Sequence, residues 1–300
     1  MTSIAVIGHK GRLGKPLIEI LNRHPYSEIK YFESRSEIKG KLPDADLFFL
    51  ALPPGESNNY LDKHPELNDK ILIDLSIDHR LDLDIDYKLD KGWVYGLPEF
   101  NRENIKYWNR IACPGCYATA ILEALSPIKG IVSNINIKAY SGVSGKPNQP
   151  VDENKGIERY SKSREHPQVA EIERFLGRQI ESLETHLVYP LKTGIVAKID
   201  ADLQDSFKVL SLSKHFSLDN SFLKIIGYQP MPDEESDIIK YLEDALIGLE
   251  NSNYCNISFD MSKNHITLIS SLDNLIKGGA GQAVQNMNLM LGCNETEGLI

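Results

Sequence analysis

The first residues of the chain constrain its fold more than any other segment. An apolar, β-branched run over 4–7 is followed by three glycines at intervals of three residues and then by an amphipathic segment from Lys15 to Leu21. This order of strand, glycine turn and helix is typical of dinucleotide-binding units, in which the pyrophosphate lies at the helix N-terminus. The chain is therefore predicted to begin with a Rossmann-like domain, whose cofactor-binding loop contains Gly8, Lys10, Gly11, Arg12, Leu13 and Gly14.

The end of the second predicted strand bears on which dinucleotide binds. After residues 29–32 come Glu33, Ser34, Arg35 and Ser36. Glu33 could hold ribose hydroxyls, as an acid does at this position in NAD sites. A guanidinium and two hydroxyls instead suit a 2′-phosphate. The predicted cofactor is therefore NADP(H), bound by Ser34, Arg35 and Ser36, and the alternative is an ordinary solvated turn.

Strands and helices alternate through the first third of the chain. Apolar runs over 46–52, 71–75 and 93–95 each end in a turn. Such alternation predicts a parallel sheet with helices on both faces, and ligands gather at the carboxyl ends of its strands. Three more residues at these ends are predicted to contact the cofactor: Leu52, Pro53 and Ser76.

A thiol lies where a loop is predicted to become a helix. Pro114 and Gly115 interrupt the preceding structure, and Tyr117 to Leu125 is predicted to be helical. The helix N-terminus would favour the thiolate of Cys116 and would offer N–H donors to a developing oxyanion. Cys116 is therefore the predicted nucleophile.

Two other interpretations apply to these cysteines. A single cysteine in an apolar segment is usually a small buried hydrophobic residue. The spacing of Cys113 and Cys116 also occurs in redox pairs and in half of a metal site. Cys255 and Cys293 are isolated in the sequence, so a four-cysteine zinc site has little support, and no metal is predicted.

The pattern changes near residue 130. A strand is predicted over Ser133 to Tyr140, followed by a glycine-serine turn and by a polar, irregular stretch from Lys146 to Arg164 that suits a loop over a site. Alternating segments at 194–201 and 265–269 suit an antiparallel sheet with one covered face. A helix is predicted between them, over 234–249. The overall prediction is an α/β fold with a second, α+β domain.

Composition excludes several functional classes. Three hundred residues with 41% hydrophobic content suit one large or two medium domains. The sequence contains neither an apolar run of membrane-spanning length nor a signal-peptide pattern, and its four cysteines form no disulfide framework, so a cytoplasmic enzyme is expected. A net charge of −9 argues against general binding to nucleic acid or to anionic membranes.

A series of motifs then occurs in an order that resembles one enzyme family, N-acetyl-γ-glutamyl-phosphate reductase, over about residues 4–292. The motifs are Gly8 to Gly14, Ala51-Leu52-Pro53, Asp74 to Arg80, Tyr95 to Glu99, Pro114 to Thr119, Ser141 to Gly145 and Asn274 to Asn288. The resemblance implies NADPH-dependent reduction of a small-molecule acyl phosphate to an aldehyde, with Cys116 forming a thioester.

The resemblance also implies the domain organisation. An NADP-binding domain is expected over 1–120, joined by a C-terminal helix at about 279–300, and a catalytic and dimerisation domain with a mostly antiparallel sheet over 121–278. A homodimer or homotetramer is expected. The glycine-rich turn that opens the last helix is expected to contact the cofactor through Gly279, Gly281 and Gln282.

The expected acid/base residue departs from the family pattern. Family members usually carry His-x-His-x-Pro-Glu-Ile, and the matching stretch here begins at His166, with Gln168 in place of the second histidine and Ala170 in place of the proline. His166 is therefore the predicted acid/base, and His186 is the alternative. The alternative, non-catalytic interpretation is that His166 only lies at a helix N-terminus, where the dipole lowers its pKa.

Recognition of carboxylate and phosphate groups requires positive charge and hydrogen-bond donors. Arg80 matches a family arginine, although it could instead pair with Asp82 or Asp84, and Lys192 lies one position before the family's usual arginine. The predicted substrate-binding residues are Arg80, Glu99, Ser144, Gly145, His186 and Lys192.

A second departure is Cys113, which stands where the family usually has asparagine. We consider an oxidised Cys113–Cys116 pair that reversibly silences the enzyme, with an inert small residue as the simpler alternative.

Two other functions share these motifs. A related enzyme reduces an acyl phosphate of aminoadipate or glutamate attached to an acidic carrier protein, and the net charge of −9 weakly disfavours such a partner. A non-catalytic NADP sensor would keep the fold, but it would have no need of Cys116.

Overall fold

A computed structural model describes residues 1–34, 42–81, 92–146, 150–152, 154–204 and 221–300. The chain forms two compact units. Unit 1 comprises Met1–Gly115 and Gly279–Ile300, and unit 2 comprises Cys116–Gly278. The division falls directly before Cys116, a few residues earlier than the boundary expected after residue 120.

Unit 1 is built on a parallel sheet. Its strands are β1 (Thr2–Ile7), β2 (Ser27–Glu33), β3 (Leu47–Leu50), β4 (Ile71–Asp74), β5 (Val94–Tyr95) and β6 (Arg110–Ala112). Their order is β2-β1-β3-β4-β6-β5, and each pairing is parallel. Residues 4–7 and 47–50 are buried along their whole length, as strands are when both faces of a parallel sheet are covered. The predicted α/β architecture is confirmed.

Helices cover this sheet. They are α1 (Gly14–Leu21), α2 (Glu56–Lys63), α3 (Pro98–Tyr107) and, from the C-terminal segment, α7 (Gly281–Met290). α7 contacts α1, α3 and β4. Since its residues from Gly281 to Leu289 are buried, the end of the chain belongs to the core of unit 1.

Unit 2 begins with α4 (Cys116–Leu125) and contains α5 (Gln168–Leu176) and α6 (Glu235–Leu246). Its strands are β7 (Val132–Gly142), β8 (Ile157–Ser161), β9 (Ser182–Val188), β10 (Ile195–Leu203), β11 (Leu223–Ile225), β12 (Cys255–Ser262) and β13 (His265–Leu272). The sheet order is β11-β12-β13-β10-β7-β9-β8.

This second sheet is mixed, with antiparallel pairing predominating. β7 and β9 are parallel, as are β11 and β12, whereas the other four pairings among the described strands are antiparallel. The alternating segments at 194–201 and 265–269 predicted the antiparallel pairing that joins β10 to β13, but they carried no information on the two parallel pairs. Two strands of one chain can pair in parallel when a long connection joins them, and the connection between β7 and β9 contains α5.

The polar stretch at 146–164 differs from the expected irregular loop, since β8 lies within it. β8 forms the edge of the sheet, and only its first and last residues are partly sheltered, while Glu158, Arg159 and Tyr160 are exposed. A polar edge strand carries no alternating apolar pattern, so its sequence looks like that of a loop. The stretch before α7 likewise differs from a simple turn, because Ile276–Ala280 forms a π-helix.

Among the described helices, none has both the length and the apolar character that crossing a membrane requires. Within the same part of the chain, His, Cys, Asp and Glu side chains form no group of three suited to a metal ion.

Candidate active site

The glycine loop of unit 1 connects β1 to α1. Gly8 has a φ of +92°, and a Cβ on it would lie 2.2 Å from the carbonyl oxygen of Ala51. A Cβ on Gly14 would lie 2.2 Å from the carbonyl oxygen of Gly8. The backbone therefore folds on itself at two points where only glycine fits.

This loop suits the phosphates of a dinucleotide. The first turn of α1 contains no acidic residue, and Leu13 at its N-cap provides no side-chain hydrogen bond. Lys10 and Arg12 are exposed on the loop and add positive charge there. A helix N-terminus with these properties favours a bound anion. The predicted residues Gly8 to Gly14 therefore fit a dinucleotide pyrophosphate.

The end of β2 is tied to the same loop. The carbonyl oxygen of Glu33 accepts hydrogen bonds from the backbone N–H groups of Gly8 (2.8 Å) and His9 (3.3 Å). The buried carboxylate of Glu33 accepts a hydrogen bond from the Tyr31 hydroxyl at 2.5 Å. Ser34 follows directly, whereas Arg35 and Ser36 lie outside the described residues. Their role at a 2′-phosphate stays a prediction.

Asp74 organises the carboxyl end of β4. Its fully buried carboxylate accepts hydrogen bonds from the Ser57 hydroxyl (3.0 Å) and from both the N–H and the hydroxyl of Ser76 (each 2.8 Å). His79 Nδ1 lies 2.6 Å from the same carboxylate, and its ring stacks on Trp93. The Ser76 hydroxyl thus serves an internal network, and a contact between Ser76 and a cofactor stays a prediction.

Hydrogen bonds within unit 1 connect Arg80, which follows His79, to the loop that precedes Cys116. Arg80 is buried, and its guanidinium donates hydrogen bonds to the carbonyl oxygens of Cys113 (2.8 Å) and Leu75 (3.0 Å). The backbone N–H of Cys113 donates to the carbonyl oxygen of Asp74 at 2.8 Å. Arg80 therefore braces the loop that leads to Cys116, and the structure describes no pairing with the expected partners Asp82 and Asp84, which lie outside the described residues.

Cys113 itself is a buried free thiol. Burial raises the pKa of Cys113 to about 12, and the amide of Asn286 lies 3.7 Å from its sulfur. Thiol–disulfide exchange requires a thiolate, which such a pKa makes scarce at neutral pH. The burial of Cys113 and its raised pKa therefore favour the inert alternative over the redox switch.

The predicted cofactor residues on α7 take part in packing. The Gln282 amide donates to the carbonyl oxygen of Gly96 at 3.0 Å, and Asn286 donates to the same oxygen at 3.0 Å. Gln285 donates to the carboxylate of Glu99 at 2.9 Å. Gly279 and Gly281 are buried in the same unit. Glu99 thus holds α7, and a substrate contact from Glu99 stays a prediction.

Unit 2 places Cys116 at the N-terminus of α4, as the sequence predicts. Cys116 is partly exposed, whereas the helix residues from Tyr117 to Leu125 are buried. The helix packs against β10, β13 and α5. A Cβ on Gly278 would lie 2.7 Å from the Cβ of Cys116, so the backbone of the π-helix lies directly against Cys116. The positive end of the helix dipole favours a thiolate at this position.

His166 lies beside the same helix. Its ring packs edge to face on Tyr117, with ring centroids 4.9 Å apart, and it is only 6% exposed. Its Nδ1 accepts a hydrogen bond from the backbone N–H of Gln168 at 3.3 Å. The hydrogen-bond network therefore assigns the proton of the neutral ring to Nε2.

Burial lowers the pKa of His166 to about 4, because the charged imidazolium loses its hydration. The unfolded chain binds a proton at this histidine below about pH 6.5, whereas the folded protein does not. The stability that the neutral ring provides is present above pH 6.5 and is lost as the pH falls towards 4. Because of His166, we expect the free energy of unfolding to fall by about 2 kcal/mol when the pH is lowered from 7 to 5.

Urea unfolding of the wild type and of His166→Asn at pH 7 and pH 5 tests this expectation. The wild type should lose about 2 kcal/mol more than the variant over this interval. Equal losses in the two proteins would show that His166 titrates as it does in the unfolded chain.

A second group of predicted residues meets near β7 and β10. The N–H of Ser144 donates to the carbonyl oxygen of Lys192 at 2.9 Å, and its hydroxyl lies 3.0 Å from the amide nitrogen of Asn274. Asn274 also accepts a hydrogen bond from the N–H of Gly194 at 2.7 Å. Lys192 lines a cavity of about 440 Å³ together with Thr193, Glu243 and Asp273. Gly145 closes the short turn after Ser144.

His186 lies apart from His166 in its contacts. It is on β9, opposite Tyr140 of β7, and the two rings stack with centroids 4.9 Å apart. Burial lowers the pKa of His186. His166 packs on Tyr117, the residue next to Cys116 in α4. This contact makes His166 the stronger candidate for acid/base catalysis.

Two buried charged groups of unit 2 were not predicted from the sequence. Glu123 of α4 and Lys277 of the π-helix are both fully buried, with Nζ 3.4 Å from Oε1. The available signal was a single acid within the mostly apolar segment 117–125, because an acid that is buried in such a segment requires a cation close to it. Gln168 was noted only as a missing histidine, although its side chain bonds to α4.

Comparisons with known proteins agree with this geometry. Residues 38–108 match the family model described as semialdehyde dehydrogenase, NAD binding domain, and residues 116–274 match semialdehyde dehydrogenase, dimerisation domain. Aspartate semialdehyde dehydrogenase with NADP from Candida albicans has the same fold, with a TM-score of 0.72 at 14% identity, covering 97% of this chain and 99% of that one. Aspartate semialdehyde dehydrogenase II from Vibrio cholerae gives 0.69 at 16%, covering 97% and 99%.

Curated relatives are similar over nearly their whole lengths. N-acetyl-gamma-glutamyl-phosphate reductase of Ehrlichia ruminantium is 33% identical, covering 99% of this chain and 97% of the relative. The Methanococcus maripaludis protein of that name is 30% identical, covering 100% and 98%. A Pyrococcus horikoshii protein named for phosphates of LysW-linked aminoadipate and glutamate is 32% identical, also covering 100% and 98%. The chain therefore belongs to the N-acetyl-γ-glutamyl-phosphate reductase family of semialdehyde dehydrogenases.

Proposed function

We propose that this protein reduces N-acetyl-γ-glutamyl phosphate to N-acetylglutamate 5-semialdehyde and phosphate, with NADPH, in arginine biosynthesis. The observation that carries the proposal is Cys116, partly exposed at the N-terminus of a buried helix with His166 packed beside its first turn. Relatives of this name, aligned over almost the whole chain, support the choice of substrate.

In the first step, the thiolate of Cys116 attacks the acyl carbon of the substrate. A sulfur–carbon bond forms, the bond from that carbon to the phosphate oxygen breaks, and phosphate leaves with its electron pair. The helix N-terminus favours the thiolate, and a thiolate displaces a good leaving group such as phosphate readily. The product is a thioester on Cys116.

The second step reduces the thioester. The chemistry that NADPH would supply when held by unit 1 is a hydride for the acyl carbon, with NADP⁺ as the oxidised product. Neutral His166 carries its proton on Nε2, so it is a hydrogen-bond donor suited to the oxyanion of the resulting hemithioacetal without being charged itself. When the carbon–sulfur bond breaks, the aldehyde leaves and Cys116 regains its thiolate.

The groups that would hold the cofactor are those of the glycine loop and the strand ends in unit 1. The N-terminus of α1, with Lys10 and Arg12 nearby, suits the pyrophosphate. Ser34, Arg35 and Ser36 are proposed to select NADP over NAD through the 2′-phosphate. Arg80, Ser144, Gly145 and Lys192 are proposed for the carboxylate and phosphate of the substrate.

A second candidate function is the same chemistry on a carrier-linked substrate. The Pyrococcus horikoshii relative, whose name refers to LysW-linked aminoadipate and glutamate, matches this chain over its full length. An acidic carrier requires a basic docking surface, and the net charge of −9 makes the free substrate the better proposal.

The deciding assay follows NADP reduction in the reverse direction. Purified protein receives free N-acetylglutamate semialdehyde or carrier-linked aminoadipate semialdehyde, each with and without phosphate. We expect phosphate-dependent activity with the free semialdehyde and a kcat/KM at least about tenfold lower with NAD than with NADP. Activity only with the carrier-linked compound would assign the second function, and activity with neither would favour the sensor.

We also infer a homodimer or homotetramer, since residues 116–274 match a model described as a dimerisation domain. A cytoplasmic location suits the four free cysteines.

A further inference from the structure

The first turn of α4 receives a hydrogen bond from outside the helix. The first N–H groups of a helix have no partner within it. Here the N–H of Ala118 donates to the side-chain oxygen of Gln168 at 2.8 Å, and Gln168 is the first residue of α5. Ala118 lies two residues after Cys116, so this bond anchors the turn that carries the nucleophile.

Gln168 is also bonded to the imidazole of His166. Its backbone N–H donates to Nδ1 of His166 at 3.3 Å, while the His166 ring packs on Tyr117 at 4.9 Å between ring centroids. One residue therefore contacts the first turn of the nucleophile's helix through its side chain and the imidazole through its backbone. These groups all belong to unit 2.

We propose that Gln168 is a positioning residue that holds the first turn of α4 in register with His166, so that Cys116 and the imidazole face one acyl group together. This inference rests on the proposed function. An amide suits the position for an electrostatic reason. A carboxylate would accept the same hydrogen bond, but its negative charge beside the helix N-terminus would oppose the thiolate that the reaction needs.

The rings packed on the first turn of α4 are neutral near pH 7, and the acid nearest to Gln168 along α5 is the buried Glu171, three residues further on. Burial lowers the pKa of His166 and raises the pKa of Tyr117, so both are neutral near pH 7. The ring of Tyr160 also lies near His166, at 6.0 Å between ring centroids. Further along α4, Glu123 is paired with Lys277. Because the neutral rings of His166 and Tyr117 carry no charge to offset it, a new negative charge at residue 168 would act on Cys116.

The test uses two substitutions of Gln168 and a matched control. Gln168→Glu keeps an acceptor for Ala118 and adds charge, Gln168→Ala removes the acceptor, and Ala170→Glu adds the same charge on an exposed position of α5. Iodoacetamide alkylation of Cys116, followed by mass spectrometry of its peptide from pH 5 to 10, reports the thiolate without any substrate. Steady-state kinetics on the full chain supply kcat and KM.

We expect Gln168→Glu to slow alkylation at pH 7 about tenfold, by moving the alkylation profile about one pH unit upwards, with kcat recovering at high pH. Gln168→Ala should lower kcat by about 10- to 100-fold with KM changed less than about threefold. Ala170→Glu should behave as the wild type in both measurements.

A wild-type alkylation profile for Gln168→Glu, or a wild-type kcat for Gln168→Ala, would overturn the proposal. If Gln168→Ala does not fold, the alkylation profile of Gln168→Glu decides. If the wild type reduces no acyl phosphate, the proposed function fails, yet the alkylation shift still tests whether residue 168 acts on Cys116.

Discussion

Cys116→Ser is expected to abolish turnover, lowering kcat by at least about 10⁴-fold. A serine hydroxyl does not ionise near neutral pH, so the helix N-terminus has no anion to stabilise and no thioester forms. The substituted atom is partly exposed, and the free energy of unfolding should change by less than about 1 kcal/mol. The measurements are steady-state kinetics and urea unfolding of both proteins.

The control is Cys113→Ser, three residues earlier in the chain. Because the Cys113 thiol is buried and its pKa is raised to about 12, it should resist alkylation at pH 7, and its replacement should leave most of the activity. Retention of more than about a tenth of the wild-type kcat by Cys116→Ser would remove Cys116 from the mechanism. Restoration of activity by reductant in the wild type, but not in Cys113→Ser, would revive the disulfide hypothesis.

Lys277→Met is expected to destabilise the protein by about 3–5 kcal/mol, since it leaves the carboxylate of Glu123 buried without its cation. Glu123→Leu should cost a similar amount for the reciprocal reason. The double variant Glu123→Leu/Lys277→Met should regain most of this loss, because apolar side chains often replace a buried ion pair at little cost. Urea unfolding of the four proteins gives the coupling free energy of the pair.

The pair of Glu123 and Lys277 also bears on Cys116. Lys277 directly precedes Gly278, whose backbone lies against the Cβ of Cys116. Loss of the cation should therefore lower kcat as well as stability. Additive losses in the double variant, with no coupling beyond about 0.5 kcal/mol, would show that the two side chains do not act as a pair.

Most of the fold was predictable from the sequence. The elements that were not predicted differ for physical reasons. The glycine spacing after β1 and the apolar runs over 46–52 and 71–75 are local features of the sequence, and they predicted a parallel sheet with helices on both faces. No local pattern predicted the polar edge strand β8 or the parallel pairing of β7 with β9, because both depend on strands that are distant in sequence.

In the candidate site too, local motifs predicted the residues but not their contacts. Cys116 and His166 were chosen from their motifs, and the structure places both beside the first turn of α4. The motif at 78–80 has contacts that the sequence did not predict. Asp78 accepts hydrogen bonds from N–H groups at the start of α2, His79 pairs with Asp74, and Arg80 braces Cys113. A motif shows that residues matter together, but not which atoms they contact.

The sequence by itself determined the family and the dinucleotide-binding α/β fold, and it predicted a thiol nucleophile, because glycine spacing, strand periodicity and a cysteine before a helix are local features. Only the tertiary structure decided how that thiol is supported. The Gln168 amide reaches Ala118 from 50 residues away, and Lys277 reaches Glu123 from more than 150 positions along the chain. Such contacts depend on packing between distant segments, which determines burial, pKa and hydrogen-bond partners together.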